Sequence, residues 1–162
     1  LQTNFNKTDK MVKINSVFAA LFMVAFFALS ASAQIKGDDI KGLWLNEDED
    51  AHIKIENRDG KYFGNIVWLK EPNEEDTGLP KLDDENPDAE LQQRPVMGLE
   101  LLSAFEFDGD DEWEDGDIYD PKSGKTYSCY MVFTDDTKDK LKVRGYIGVS
   151  LLGKTTYWTR VK

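Results

Sequence analysis

A Gly-Leu-Trp triplet, Gly42-Leu43-Trp44, and a Trp-Thr-Arg triplet, Trp158-Thr159-Arg160, bracket a run of short alternating segments and tight turns. A tryptophan on a first strand and an arginine on a last strand meet only where a sheet brings its two edges together. A guanidinium over an indole face is favourable by about 0.5–2 kcal/mol. Gly42, Trp44 and Arg160 therefore read as the closure of an antiparallel barrel, a shape that removes free sheet edges and can enclose a small ligand.

The segment before this bracket has a different character. Met11-Val12-Lys13 is a short basic start, and Val17 to Leu29 is unbroken apolar sequence. Ala31-Ser32-Ala33 then offers a small-x-small cleavage site ahead of Gln34, the pattern of a secretory signal peptide. A membrane span needs about 20 apolar residues, and this run is shorter. Residues 11–33 are thus expected to be a signal peptide, with residues 1–10 an upstream extension and translation starting at Met11. Gln34 is not a cysteine, so a lipid anchor has no acceptor there. Residues 34–162 have the size of one domain with one core.

The whole chain carries a net charge of −11. The leader contributes Lys7, Lys10, Lys13 and Asp9, so the exported part stands at −13. Such a chain repels phosphate backbones and anionic head groups, which argues against nucleic-acid and membrane-surface partners and against membrane insertion after the leader is removed. An exported, periplasmic or secreted monomer is expected. The single cysteine, Cys129, excludes an intramolecular disulfide, and its alternation with Tyr127, Met131 and Phe133 reads as a buried thiol.

Strand signals dominate residues 34–162. Ala51, Ile53 and Ile55 alternate with His52, Lys54 and Glu56, and the turn Asn57–Gly60 returns the chain through Tyr62 to Leu69. Lys125–Thr134 and Leu141–Ile147 alternate as clearly, and Lys154–Val161 closes the set. Val96–Phe107 has strand-like and helix-like spacing together, consistent with a strand interrupted near Gly98. Trp113–Tyr119 fits a strand only with a bulge at Gly116, because Trp113 and Ile118 otherwise face opposite ways. About eight strands result, an all-β up-and-down barrel. One long acidic loop, Glu71–Gln93, interrupts the pattern; Asn86 and Pro87 there can start a short helical turn.

Chemical motifs are few. Gly148-Val149-Ser150-Leu151-Leu152-Gly153-Lys154-Thr155 fits the phosphate-loop pattern, but that loop needs a following helix, and Thr156–Arg160 are strand formers. The acidic run Asp108–Asp117 fails the spacing of a calcium loop, since Trp113 falls on a ligand position, which leaves a solvated hairpin as the first reading and a looser surface calcium site as the lesser one. One histidine, His52, supports neither a serine triad nor a multi-histidine zinc site. No metal and no cofactor are expected.

Gly42-Leu43-Trp44, Gly64–Leu69, Asn86-Pro87-Asp88, Arg94–Leu99, Ile118-Tyr119-Asp120-Pro121, Gly124–Cys129, Val143–Gly148 and Trp158–Val161 together resemble one known pattern, that of the bacterial family named domain of unknown function 2147. The resemblance implies a lipocalin-like (calycin) barrel in a small exported protein, with no catalytic residue to carry over. Many members of that family carry further cysteines near the hairpin matching Arg58–Phe63; this chain has none there, so no disulfide is carried over.

The function expected first is binding of a small, largely apolar molecule. Trp68, Tyr127, Phe133 and Trp158 are candidate walls and Arg144 a candidate polar anchor, although Arg144 also suits a structural role on loop carbonyls. The alternatives are an envelope-interaction protein whose barrel is filled by its own side chains, and an enzyme using carboxylates at the mouth. Cavity volume separates the first two, and perturbed carboxylates in a cleft mark the third.

Overall fold

A computed structural model describes residues 34–162; the expected leader and the stretch before it lie outside the described residues. Eight strands follow one another: β1 (Gly42–Leu45), β2 (Ala51–Arg58), β3 (Lys61–Leu69), β4 (Glu100–Phe107), β5 (Glu112–Asp120), β6 (Lys125–Phe133), β7 (Lys140–Tyr146) and β8 (Gly153–Arg160). Each pairs antiparallel with the next, and β8 returns to β1 through Trp44–Arg160 and Leu45–Thr159, so the barrel is closed. Alternation does what the sequence pattern requires: Ala51, Ile53, Ile55, Tyr62, Leu141 and Val143 point into a common core.

One end of the barrel is plugged. A 3-10 helix, Gly37–Ile40, which the sequence reading did not anticipate, lies across it. Trp44 Nε1 donates to the Ile40 carbonyl at 2.9 Å and Trp113 Nε1 to the Gly37 carbonyl at 3.0 Å. Both indoles are wholly buried, and these bonds satisfy their only polar atoms. Gly37 suits the site because a Cβ there would stand 2.4 Å from the Tyr62 hydroxyl. Phe105, Met131 and Leu141 fill the same end with the two tryptophans.

Two non-glycine residues at positive φ, Ala104 (61°) and Asp115 (56°), bend β4 and β5. They fall in the gap between the rungs Ser103–Asp117 and Glu106–Glu114. The register of β5 on β6 shifts between Trp113 and Gly116, which is the expected bulge. In β4 the extra residue puts Leu102 and Phe105 on the same inner face, three positions apart. That spacing is why the segment reads as half strand and half helix. The Phe105 ring takes up the space over Gly116, where a Cβ would stand 2.4 Å from it.

The long loop joins β3 to β4. Isolated bridges Asn73–Pro80 and Leu82–Pro95 divide it into an outer and an inner part. Asn86 Oδ1 accepts the Asp88 N–H at 2.9 Å, as a helix cap would. Beyond it the chain makes two successive turns, closed by Leu91 N–H to Asp88 O and Arg94 N–H to Leu91 O, and no continuous helix.

Candidate functional site

The end opposite the 3-10 helix is open. A cavity of about 840 Å³ occupies it, lined by residues from the β1–β2, β3–β4, β5–β6 and β7–β8 connections and from the strand ends beneath them. Its walls are apolar: Ile53, Ile66, Leu69, Leu101, Ile118, Tyr127, Val143 and Trp158. The rim is charged, with Lys70, Lys81, Lys122 and Lys154 among a larger number of carboxylates. Lys122 is held by Asp50 at 3.1 Å and approaches Asp48 at 3.7 Å. Burial works to raise the Asp50 carboxyl, but hydrogen bonds from Asn46 and Lys122 outweigh it and hold the group below its ordinary value.

Of the five side chains expected to meet a ligand, Tyr127 and Trp158 line this cavity. The other three are placed elsewhere, each for a local reason. One extra residue in β3, at Val67, separates the rungs Ile53–Ile66 and His52–Trp68. The bulge turns Trp68 outward, where its ring packs at a tilt against His52 with centres 4.5 Å apart, and turns Leu69 inward in its stead. Phe133 packs at the plugged end, 6.1 Å from Trp44 and 5.1 Å from Trp113. Arg144 stands on the outer face and donates to the Ser150 carbonyl (2.8 Å), the Leu151 carbonyl (3.3 Å) and Thr155 Oγ1 (2.8 Å). Its role is the loop-carbonyl one.

At the closure, the Arg160 guanidinium lies 4.2 Å from the centre of the Trp44 ring. It also donates to three carbonyls: Asp39 at 2.7 Å, Lys41 at 2.9 Å and Lys138 at 2.9 Å. Gly42, at φ 135°, leaves room for it, since a Cβ there would stand 2.8 Å from the Arg160 nitrogen. One side chain thus ties together the 3-10 helix, β1, the β6–β7 turn and β8.

The residue that sequence reasoning missed is Asp83. It is completely buried beneath the inner part of the long loop. Tyr119 donates to it at 2.6 Å, Asn86 at 2.8 Å, and the Arg94 guanidinium at 2.8 Å. Gly124, at φ 67°, completes the arrangement, because a Cβ there would stand 1.8 Å from the Glu85 carbonyl. Three of the separated sequence patterns (Asn86-Pro87-Asp88, Arg94-Pro95 and Tyr119-Asp120) thereby converge on one buried carboxylate, and a fourth, Gly124-Lys125, packs against the backbone of Glu85 beside it. Burial, and next the bond to Asp83, raise the Tyr119 phenol above its ordinary value. Tyr119 itself faces the cavity, so this cluster is the framework on which the rim is hung.

Glu112 is the carboxyl pushed upward, by burial first and then by Glu114, Asp108 and Asp111, and it does not line the cavity. Cys129 is fully buried, and burial pushes its thiol up to about 12. Among the described residues no three His, Cys, Asp or Glu side chains are grouped to hold a metal.

No curated protein matches this chain. A solved structure that it resembles is protein HP1028 from the human pathogen Helicobacter pylori, described as belonging to the lipocalin family. The two are 20% identical over 76% of this chain and 83% of the other, with a TM-score of 0.64, which shows a shared lipocalin-type fold. Residues 42–160 match the family described as uncharacterized protein conserved in bacteria, DUF2147. That match runs from the first strand to the arginine that closes the barrel, and the chain belongs to the DUF2147 family.

Proposed function

We propose that this protein binds a small, largely apolar molecule in the open half of its barrel, outside the cytoplasm. The observation that carries the reading is the cavity: about 840 Å³ with aliphatic and aromatic walls, above an end packed solid with side chains. Sites for small molecules are concave, mostly apolar and roughly 300–1,000 Å³ in volume. A barrel filled throughout by its own side chains would leave no such space, so the envelope-interaction reading loses its main support. The long loop contributes Glu71, Glu74, Lys81, Leu82 and Asp84 to the rim and is the segment able to cover the mouth.

Native mass spectrometry of protein purified from its own host tests the reading. A retained species of small-molecule mass, released on unfolding, is the expected result. Ligand-free protein in every preparation, together with no uptake of apolar compounds, would remove it. Export is tested separately by intact-mass analysis of the extracytoplasmic fraction. A chain beginning at Gln34 is expected; a dominant species that keeps Val17–Leu29 would contradict the signal-peptide reading.

A further inference from the structure

The turn between β7 and β8 exposes an unusual amount of apolar surface. Its six residues, Ile147–Leu152, carry no charge in a chain that is 31% charged. Ile147 is 67% exposed, Val149 57%, Leu151 87% and Leu152 70%. Isolated exposed hydrophobes need no explanation, but a contiguous group marks a contact surface. Three features specify the partner.

The first is the backbone. Ile147 N–H donates to Leu152 O at 3.1 Å, Val149 N–H to Ile147 O at 2.8 Å, and Leu152 N–H to Val149 O at 3.0 Å. Arg144 takes up the carbonyls of Ser150 and Leu151. The tip therefore offers apolar side chains while much of its polar backbone is already satisfied, which is what entry into a hydrocarbon boundary demands. The second is charge. β6, β7 and β8 contain no aspartate or glutamate, and the halves of β7 and β8 nearest the tip supply Lys142, Arg144 and Lys154. On the outer face Lys142 lies over Tyr130, a pairing of basic and phenolic groups suited to the head-group layer. The chain's net charge opposes an anionic surface, so the contact is carried by the tip and this local face and not by the carboxylate-rich rim. The third is continuity, because Ile147 and Leu152 also line the mouth of the cavity.

We infer that the Ile147–Leu152 tip docks the barrel on a lipid bilayer surface containing anionic lipid. Val149 and Leu151 enter the acyl boundary, and Arg144 and Lys154 sit at the head groups. An apolar ligand then passes between bilayer and cavity along a continuous apolar wall. This is peripheral contact through a turn, distinct from insertion of a span. The transfer step rests on the ligand-binding reading, whereas the docking does not.

Co-sedimentation of the protein beginning at Gln34 tests it. That piece contains the whole closed barrel and its core, and it lacks the apolar leader that would itself bind lipid. Vesicles of phosphatidylcholine alone and of phosphatidylcholine with phosphatidylglycerol are compared, alongside a Val149→Asp, Leu151→Asp double variant. Wild-type protein is expected to sediment with the mixed vesicles, less with phosphatidylcholine alone, and the variant about tenfold less than wild type. Uptake of the uncharged dye N-phenylnaphthylamine, measured without vesicles, reports the cavity separately and should be the same in both proteins. Wild-type protein left in the supernatant with both vesicles overturns the proposal and turns the tip toward an apolar surface on another protein. Equal sedimentation of the variant and wild type overturns it as well.

Discussion

Arg160 does more than its pairing with Trp44 suggested. Stacking alone accounts for about 0.5–2 kcal/mol, but three carbonyls also depend on this guanidinium. Arg160→Ala is expected to cost about 2–4 kcal/mol in denaturant unfolding. Arg160→Lys should recover only part of that, because one ammonium cannot reach three carbonyls while lying flat on an indole. Loss under 0.5 kcal/mol for the alanine variant would show that the barrel closes without it. Asp39, next to it in space, sets an acid limit. A hydrogen bond from Lys138 holds the Asp39 carboxyl below its ordinary 3.8, with the Lys36 N–H and the Lys138 charge also helping against burial. A carboxyl depressed in the folded state contributes stability that is complete above its unfolded value and lost as pH falls through its folded one. Melting temperature is therefore expected to fall below about pH 4, and Asp39→Asn should flatten that fall. An unchanged acid slope in the variant would assign the loss to other carboxylates. The arginine was legible because Trp-Thr-Arg ends the last strand; its carbonyl partners were not, because they come from a 3-10 helix and a turn with no sequence signature of their own.

Among the elements, strands were readable where alternation ran unbroken, as in β2, β6 and β7. Bulges were readable only where glycine marked them. Gly116 announced the irregularity in β5, whereas Ala104 and Val67 carry no signal for an extra residue. The cost of the second omission was specific, since a single added residue at Val67 exchanged Trp68 for Leu69 on the inner face. The long loop was recognised as exceptional, but its anchor was hidden. Asp83 stands beside Asp84 and Glu85 in an acidic stretch, and nothing local distinguishes the buried one. Its burial is decided by Tyr119, Asn86 and Arg94, which arrive from other parts of the chain. The consequence is a divided loop, with Leu82–Pro95 tied down by buried polar contacts and Asn73–Pro80 outside them. Asp83→Asn removes the charge facing Arg94 and should lower the local opening free energy by about 2–4 kcal/mol. Hydrogen exchange reads this at the Asp83, Leu91 and Val96 amides, while β6 and β7 amides stay protected. Equal loss of protection throughout would mean that Asp83 supports the whole barrel and not the rim.

As a molecule, the barrel is solid at one end and hollow at the other, and strands β6, β7 and β8 carry no aspartate or glutamate. Closure by Trp44 and Arg160 makes the plugged end rigid; the cavity, the divided loop and the apolar tip share the open one. The sequence could announce a closed barrel, because alternation and the end-to-end pairing are local or nearly so. It could not announce a hollow half, since cavity volume depends on which aliphatic residues the bulges leave facing inward. Tyr127 and Trp158 were within reach of alternation, but Ile53, Ile66 and Ile118 look like any core residues. The central claim is that the open half holds an apolar guest, and a fluorescence titration of N-phenylnaphthylamine against wild type and Ala51→Trp tests it most directly. Ala51 is buried in the cavity wall near the mouth, so an indole there occupies the space a guest needs. Near-ultraviolet circular dichroism and the melting temperature establish that the variant is folded. Saturable binding of one dye per wild-type chain, weakened at least about tenfold in the folded variant, is the predicted result. No saturable binding by wild type, or equal affinity in both proteins, would contradict it.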